Sequence, residues 1–100
     1  MSATKIGVLK HGLKIGDAVH KSFEIREATT ADLFAAEEVA SSDKPITFNA
    51  ALLCQQIVSI GEFTGPFTLG MLGKMKKVDL YAMQAARQAL DSEGEAEQPV

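Results

Sequence analysis

Apolar and polar residues alternate near the start of the chain, and the period lengthens to that of a helix beyond residue 30. Lys5-Ile6-Gly7-Val8-Leu9-Lys10 reads as a first strand with Ile6 and Val8 on one face. Gly12 and Gly16-Asp17 mark a loop or turn. Ala18 to Glu27 reads as a second strand, in which Phe23 and Ile25 alternate with Glu24 and Arg26. The two strands are expected to pair as an antiparallel hairpin with a long connection. A hairpin alone is marginal in water, so it must pack on other elements or on another chain.

Three main helices and one short helix are expected to follow. Thr29 with Asp32, just ahead of an apolar run, resembles a capping box with Asp in place of Glu. It predicts a first helix from about Ala31 to about Ala40, with Leu33, Phe34, Ala36 and Val39 inward and Asp32, Glu37 and Glu38 in water. Ser41-Ser42-Asp43-Lys44-Pro45 is a break. A second helix is expected from about Asn49, capped by Thr47 or Asn49, to about Ile60, stopped by Gly61. Leu53, Ile57 and Ile60 share its apolar stripe, which Leu52 and Val58 widen, and this helix is the expected centre of the core. Gly65-Pro66 signals a turn, and Thr68 caps a short helix through Leu69, Met71, Leu72 and Met75. A last helix runs from about Val78 to about Leu90. The class is therefore α+β. Residues 1–90 form one domain, and residues 91–100 read as an acidic disordered tail.

Composition narrows the functional classes. The chain is 46% hydrophobic and 23% charged, as in ordinary globular domains. Lys5, Lys10, Lys14 and Lys21 face only Asp17 within residues 1–23, and this basic set reads as a solvated surface. The net charge of −3 argues against generic nucleic-acid binding. Cys54 is the only cysteine and lies in an apolar run, where a buried thiol is expected. No stretch is long and apolar enough to read as a membrane span, and the expected location is the cytoplasm.

Chemistry-bearing patterns are sparse. His11 and His20 lack metal-ligand spacing. Glu37 and Glu38 are adjacent on a helix and point apart. Gly70-Met71-Leu72-Gly73-Lys74 lacks the Walker spacing and has Met75 where Ser or Thr would follow the lysine. No nucleophile–base pair can be assembled, so no catalytic residue, metal or cofactor is assigned. A non-enzymatic interaction module is the reading left by elimination.

Arg26-Glu27-Ala28-Thr29-Thr30-Ala31-Asp32-Leu33 after the hairpin, an apolar helix, and then Val78-Asp79-Leu80-Tyr81-Ala82-Met83-Gln84 resemble the tail assembly chaperones of Mu-like and P2-like phages. The resemblance covers roughly residues 5–91. Ala28 stands where that family commonly has Pro, and Thr30-Ala31 stand where it has Ala-Gly.

The resemblance implies a non-catalytic role in the host bacterial cytoplasm. Such proteins bind the long helical tape measure protein and keep it soluble until the tail tube polymerises. They are absent from the mature virion. It also implies tail tube subunits as partners of a longer, frameshifted form. The surface expected to bind is an apolar groove between the second and last helices, with Leu53, Ile57, Met71, Met75 and Met83 as candidates. The same residues suit a core, which is the stronger reading for Leu53 and Ile57. The hairpin edge is a second candidate surface, for homo-oligomer formation. A structural head–tail connector is the nearest alternative. A small DNA-binding regulator would need a basic recognition helix, and the segment from Asn49 to Ile60 has no Lys or Arg.

Overall fold

The computed structural model describes residues 4–41 and 43–97. Thr4–Ile15 forms β1 and Ala18–Arg26 forms β2, an antiparallel pair. Their connection is Gly16-Asp17 alone, so the hairpin turns tightly rather than through the long connection expected. Length is gained inside β1. Val8 pairs with Ser22, and Leu13 next pairs with His20. Leu9, Lys10, His11 and Gly12 therefore stand opposite Lys21 alone. This is an enlarged bulge, four residues against one, which bends the strand and leaves backbone groups without ladder partners. Gly12 allows it. Its φ is +86°, and a Cβ there would lie 2.9 Å from the His20 carbonyl oxygen.

α1 spans Thr30–Val39 and α2 spans Pro45–Gln56. The Thr29 capping box is present in both directions. Pro45 does not only break the chain; it occupies the first turn of α2, where its missing N–H costs nothing. Lys44 is the N-cap, without a side-chain bond, so neither Thr47 nor Asn49 caps this helix.

The second helix also ends earlier than the apolar stripe predicts. Ile57–Ile60 forms β3, antiparallel to β2, and the sheet order is β1-β2-β3. Ile57 and Ile60 are buried as the stripe requires, but from a strand. A short β-branched run is ambiguous between helix and strand by periodicity, and pairing with β2 decides it here.

Leu69–Leu72 forms α3, capped by the Thr68 side chain as expected. Lys77–Glu97 forms α4. The helix thus continues through part of the segment read as a disordered tail, while residues 98–100 of that segment lie outside the described residues.

Helices and sheet enclose a single main core. The hairpin contributes Leu9, Leu13, Phe23 and Ile25. Leu53, Ile57 and Ile60 come from α2 and β3, and Leu72, Met83 and Leu90 complete it. Burying each such Leu, Ile, Phe or Met side chain stabilises the fold by roughly 1.5–3 kcal/mol. Ala36, Ala51 and Leu52 form a smaller cluster where α1 meets α2.

α1 buries only part of the face expected of it: Ala36 is buried, and Glu37 and Glu38 are exposed, as expected. Its buried residues are Asp32 and Ala36, while Leu33, Phe34 and Val39 are exposed. Asp32 is drawn inward by Arg26, and the apolar residues are turned out.

Candidate partner-binding surface

Two buried carboxylates hold the frame on which any surface must be displayed. Arg26, the last residue of β2, places its guanidinium across the start of α1. Nη1 donates to Asp32 Oδ2 and Nη2 to Asp32 Oδ1, both at 2.8 Å. This fork geometry is the strong form of an Arg–carboxylate pair. Arg26 Nη2 also donates to the Gln55 carbonyl at 2.7 Å, and Gln56 Nε2 donates to the Arg26 carbonyl at 3.0 Å. Asp32 Oδ2 accepts the Thr29 N–H at 2.8 Å. One ion pair thus ties the end of β2, the N-terminus of α1 and the C-terminus of α2. The Arg26 hydrogen bond, above all, holds the Asp32 carboxyl below the usual carboxylate range, against the opposing effect of its burial. The same bond raises Arg26.

The second carboxylate is Asp79, fully buried in the first turn of α4. Oδ1 accepts the Lys10 N–H at 2.7 Å, Oδ2 accepts the Gly12 N–H at 2.9 Å, and His11 N–H reaches both oxygens at 3.3 and 3.1 Å. The bulge leaves three successive N–H groups pointing one way, a concavity that binds anions. Here the chain fills it with its own side chain. An acid in the first helical turn is favourable there in any case.

A third tether joins α4 to the β2–α1 junction. Arg87 Nη1 donates to Asp91 Oδ2 at 3.3 Å, and Asp91 Oδ1 accepts the Ala28 N–H at 3.4 Å. Glu27, Ala28, Thr29, Thr30, Leu33, Leu52, Arg87 and Asp91 line a cleft of about 360 Å³ beside it.

Apolar surface is available elsewhere. Between α2 and α4, Ile46, Asn49, Leu80, Tyr81, Gln84, Arg87 and Gln88 line a groove of about 210 Å³. Ile46 and Leu80 also line an adjoining groove of about 270 Å³ with Thr47, Ala50, Leu69, Leu72 and Gly73. The two therefore run together along the helix pair. Ile46 is 78% exposed and Tyr81 62% exposed.

The residues singled out in the sequence lie mostly behind this surface. Leu53, Ile57 and Met83 are in the core and offer no accessible face. Met71 and Met75 are half-buried and pack against that core. Met71 lines a separate cleft with Leu13, Lys14, Ile15, Gly16, Phe63 and Lys74, at the hairpin tip. A groove between the second and last helices exists, but Ile46, Leu80 and Tyr81 line it instead. The residue not singled out was Ile46, one residue past Pro45, between the expected break and the expected start of the second helix near Asn49.

Burial pushes the Cys54 thiol up to about 11, which keeps it protonated and unreactive at neutral pH. Among the described residues, no group of three or more His, Cys, Asp or Glu is placed to hold a metal ion. No described helix is long and apolar enough to cross a membrane.

Comparison with known proteins bears on what the grooves serve. A family model described as tail assembly protein gp41 matches residues 9–99. The Mu-like prophage FluMu protein gp41 of Haemophilus influenzae is 30% identical over 105 residues, covering 93% of this chain and 82% of that protein. No solved structure matches.

Proposed function

This chain belongs to the tail assembly protein gp41 family of Mu-like phages, and on that premise we propose that it is a non-catalytic chaperone for the tape measure protein. In this reading it binds helical segments of that protein in the host cytoplasm and keeps them soluble until the tail tube forms. The observation that carries the reading is the apolar groove between α2 and α4, open to solvent at Ile46 and Tyr81. An unassembled tape measure helix exposes apolar stripes, and helix-in-groove docking shields such stripes. The polar groove residues Asn49, Gln84 and Gln88 suit a contact that must later be released to tube subunits. Repetition of a weak contact along one long chain supplies holding power through multivalency.

Co-expression with the tape measure protein, followed by affinity pull-down and sizing, tests the reading. The partner is expected to become soluble and to co-elute with many copies of this chain. Ile46→Glu and Tyr81→Glu are expected to reduce recovery while leaving the circular dichroism spectrum unchanged. A partner that stays insoluble, with this chain eluting alone, would sink the proposal. Mass spectrometry of purified particles separates a chaperone, absent from the virion, from a head–tail connector, present in it.

A further inference from the structure

Two exposed faces lie outside the α2–α4 groove, and each combines unburied apolar side chains with charge. The first is the outward side of α1. At 100° per residue, Leu33, Glu37, Phe34 and Glu38 follow one another around the side opposite buried Asp32 and Ala36. Phe34 is 66% exposed and sits between the two glutamates. Glu37, Glu38 and Asp43 against Lys44 leave this region with a net charge of −2 (three acids, one base).

The second is the outer face of the hairpin. Ile6 and Val8 are 71% and 73% exposed, on the side of β1 away from buried Leu9. Exposed Lys10 follows them at the same strand parity. Beyond the bulge, Lys14 pairs directly with exposed Val19. On this outer face Lys10 and Lys14 stand against Glu24, which pairs with Ile6; over the whole hairpin Lys5, Lys10, Lys14 and Lys21 against Asp17 and Glu24 leave +2 (four bases, two acids), with Arg26 neutralised by Asp32. Exposed apolar surface of this kind, rimmed by charge, marks interaction sites.

We propose that these two faces are each other's partners: the outward face of α1 docks on the outer hairpin face of a second copy of the chain. Phe34 and Leu33 cover Ile6 and Val8, while Glu37 and Glu38 meet Lys10 and Lys14. Opposite charges fix the register, and the like-charge pairings α1 to α1 and hairpin to hairpin are disfavoured. The contact joins unlike faces, so it propagates head to tail into a ring or a filament and does not close as a symmetric dimer. It leaves the α2–α4 groove free in every copy. It is independent of the tape measure reading, because it is tested with this chain alone.

Sedimentation across a concentration series gives the test. Wild-type chain is expected to grow beyond a dimer at low salt and to dissociate as salt rises, since exposed pairs are screened. Lys10→Glu with Lys14→Glu, and separately Glu37→Lys with Glu38→Lys, are each expected to weaken self-association about tenfold or more, or ~1.4 kcal/mol. All four positions are exposed, and circular dichroism checks that each variant is folded. An equimolar mixture of the two variants restores opposite charge at every contact and is expected to reassemble. A monomeric wild type at ~1 mM, where contacts of about −4 kcal/mol are populated, overturns the proposal. So does association that ignores both reversals, or a mixture of the two variants that does not reassemble.

Discussion

Replacing Asp79 by Ala asks how much of the fold depends on a single carboxylate. The change removes the acceptor for the Lys10, His11 and Gly12 N–H groups. Hydrogen bonds to a charged group contribute roughly 1.5–3 kcal/mol each, which gives a gross loss of about 5–9 kcal/mol. Two terms offset it. A fully buried carboxylate carries a desolvation penalty of several kcal/mol, which disappears with the side chain. Lys10 and His11 are exposed residues, so water can reach part of the vacated bulge. A net destabilisation of about 3 kcal/mol remains, a large share of the roughly 5–15 kcal/mol that holds a typical domain. With a urea dependence of about 1.5 kcal/mol/M, the midpoint falls by about 2 M. Urea titration followed by circular dichroism measures the shift. Amide exchange at Lys10, His11 and Gly12 localises it, and these amides should accelerate more than that of Phe23. A midpoint within about 0.3 M of wild type would show that the bulge does not depend on Asp79, and the argument from its geometry would fail.

Three further perturbations probe the other features. Asp32 is held ionised more readily in the folded state than in the unfolded chain, so its ion pair contributes fully above the unfolded value near 3.9 and is lost as pH falls through the lower folded value; Asp32→Asn is expected to lower stability at pH 7 and to flatten its decline below about pH 4, and an unchanged acid profile would refute the linkage. Arg26→Lys keeps the charge but cannot form the fork, and about 2 kcal/mol of stability should be lost in urea titration; a neutral result would mean that the charge alone suffices. Gly61 has a φ of +60° and lies under the His20 ring, so Gly61→Ala should cost about 1–2 kcal/mol in thermal unfolding. Measured against His20→Gly alone, adding His20→Gly removes all three His20 contacts and should recover the steric part, and no recovery would locate the whole cost in the backbone.

The hairpin, the capping box at Thr29 and the Thr68 cap could be read in the sequence because each is a local pattern with a local cause. The elements that could not be read depend on distant partners. Residues 57–60 carry an apolar spacing that continues α2, and only pairing with β2 makes them a strand. Leu33, Phe34 and Val39 look like a core stripe, but the ion pair from Arg26 rotates Asp32 inward and sends them to the surface. Asp79 stands between apolar Val78 and Leu80 as an ordinary first-turn acid, and its partners lie 67 to 69 positions earlier. Among the candidate binding residues, an apolar side chain at helical spacing proved better evidence of core than of surface. Ile46 and Tyr81 carry no signal of their own, because Ile46 falls before the expected start of the second helix and Tyr81 lies off the Leu80, Met83 and Leu90 side.

The pairing of Asp79 with the bulge also sets an order of events during synthesis. Residues 10–12 leave the ribosome early, yet their carboxylate is made 69 positions after Lys10. Until α4 emerges, β1 carries unanswered N–H groups in its bulge and an uncovered core side at Leu9 and Leu13. The nascent hairpin is therefore held incomplete until the helix that locks it has been translated. Folding of this chain is governed by contacts of long sequence separation, which are slow to close. Its assembly into a finished domain waits on the translation of α4, even though its first element is a local hairpin.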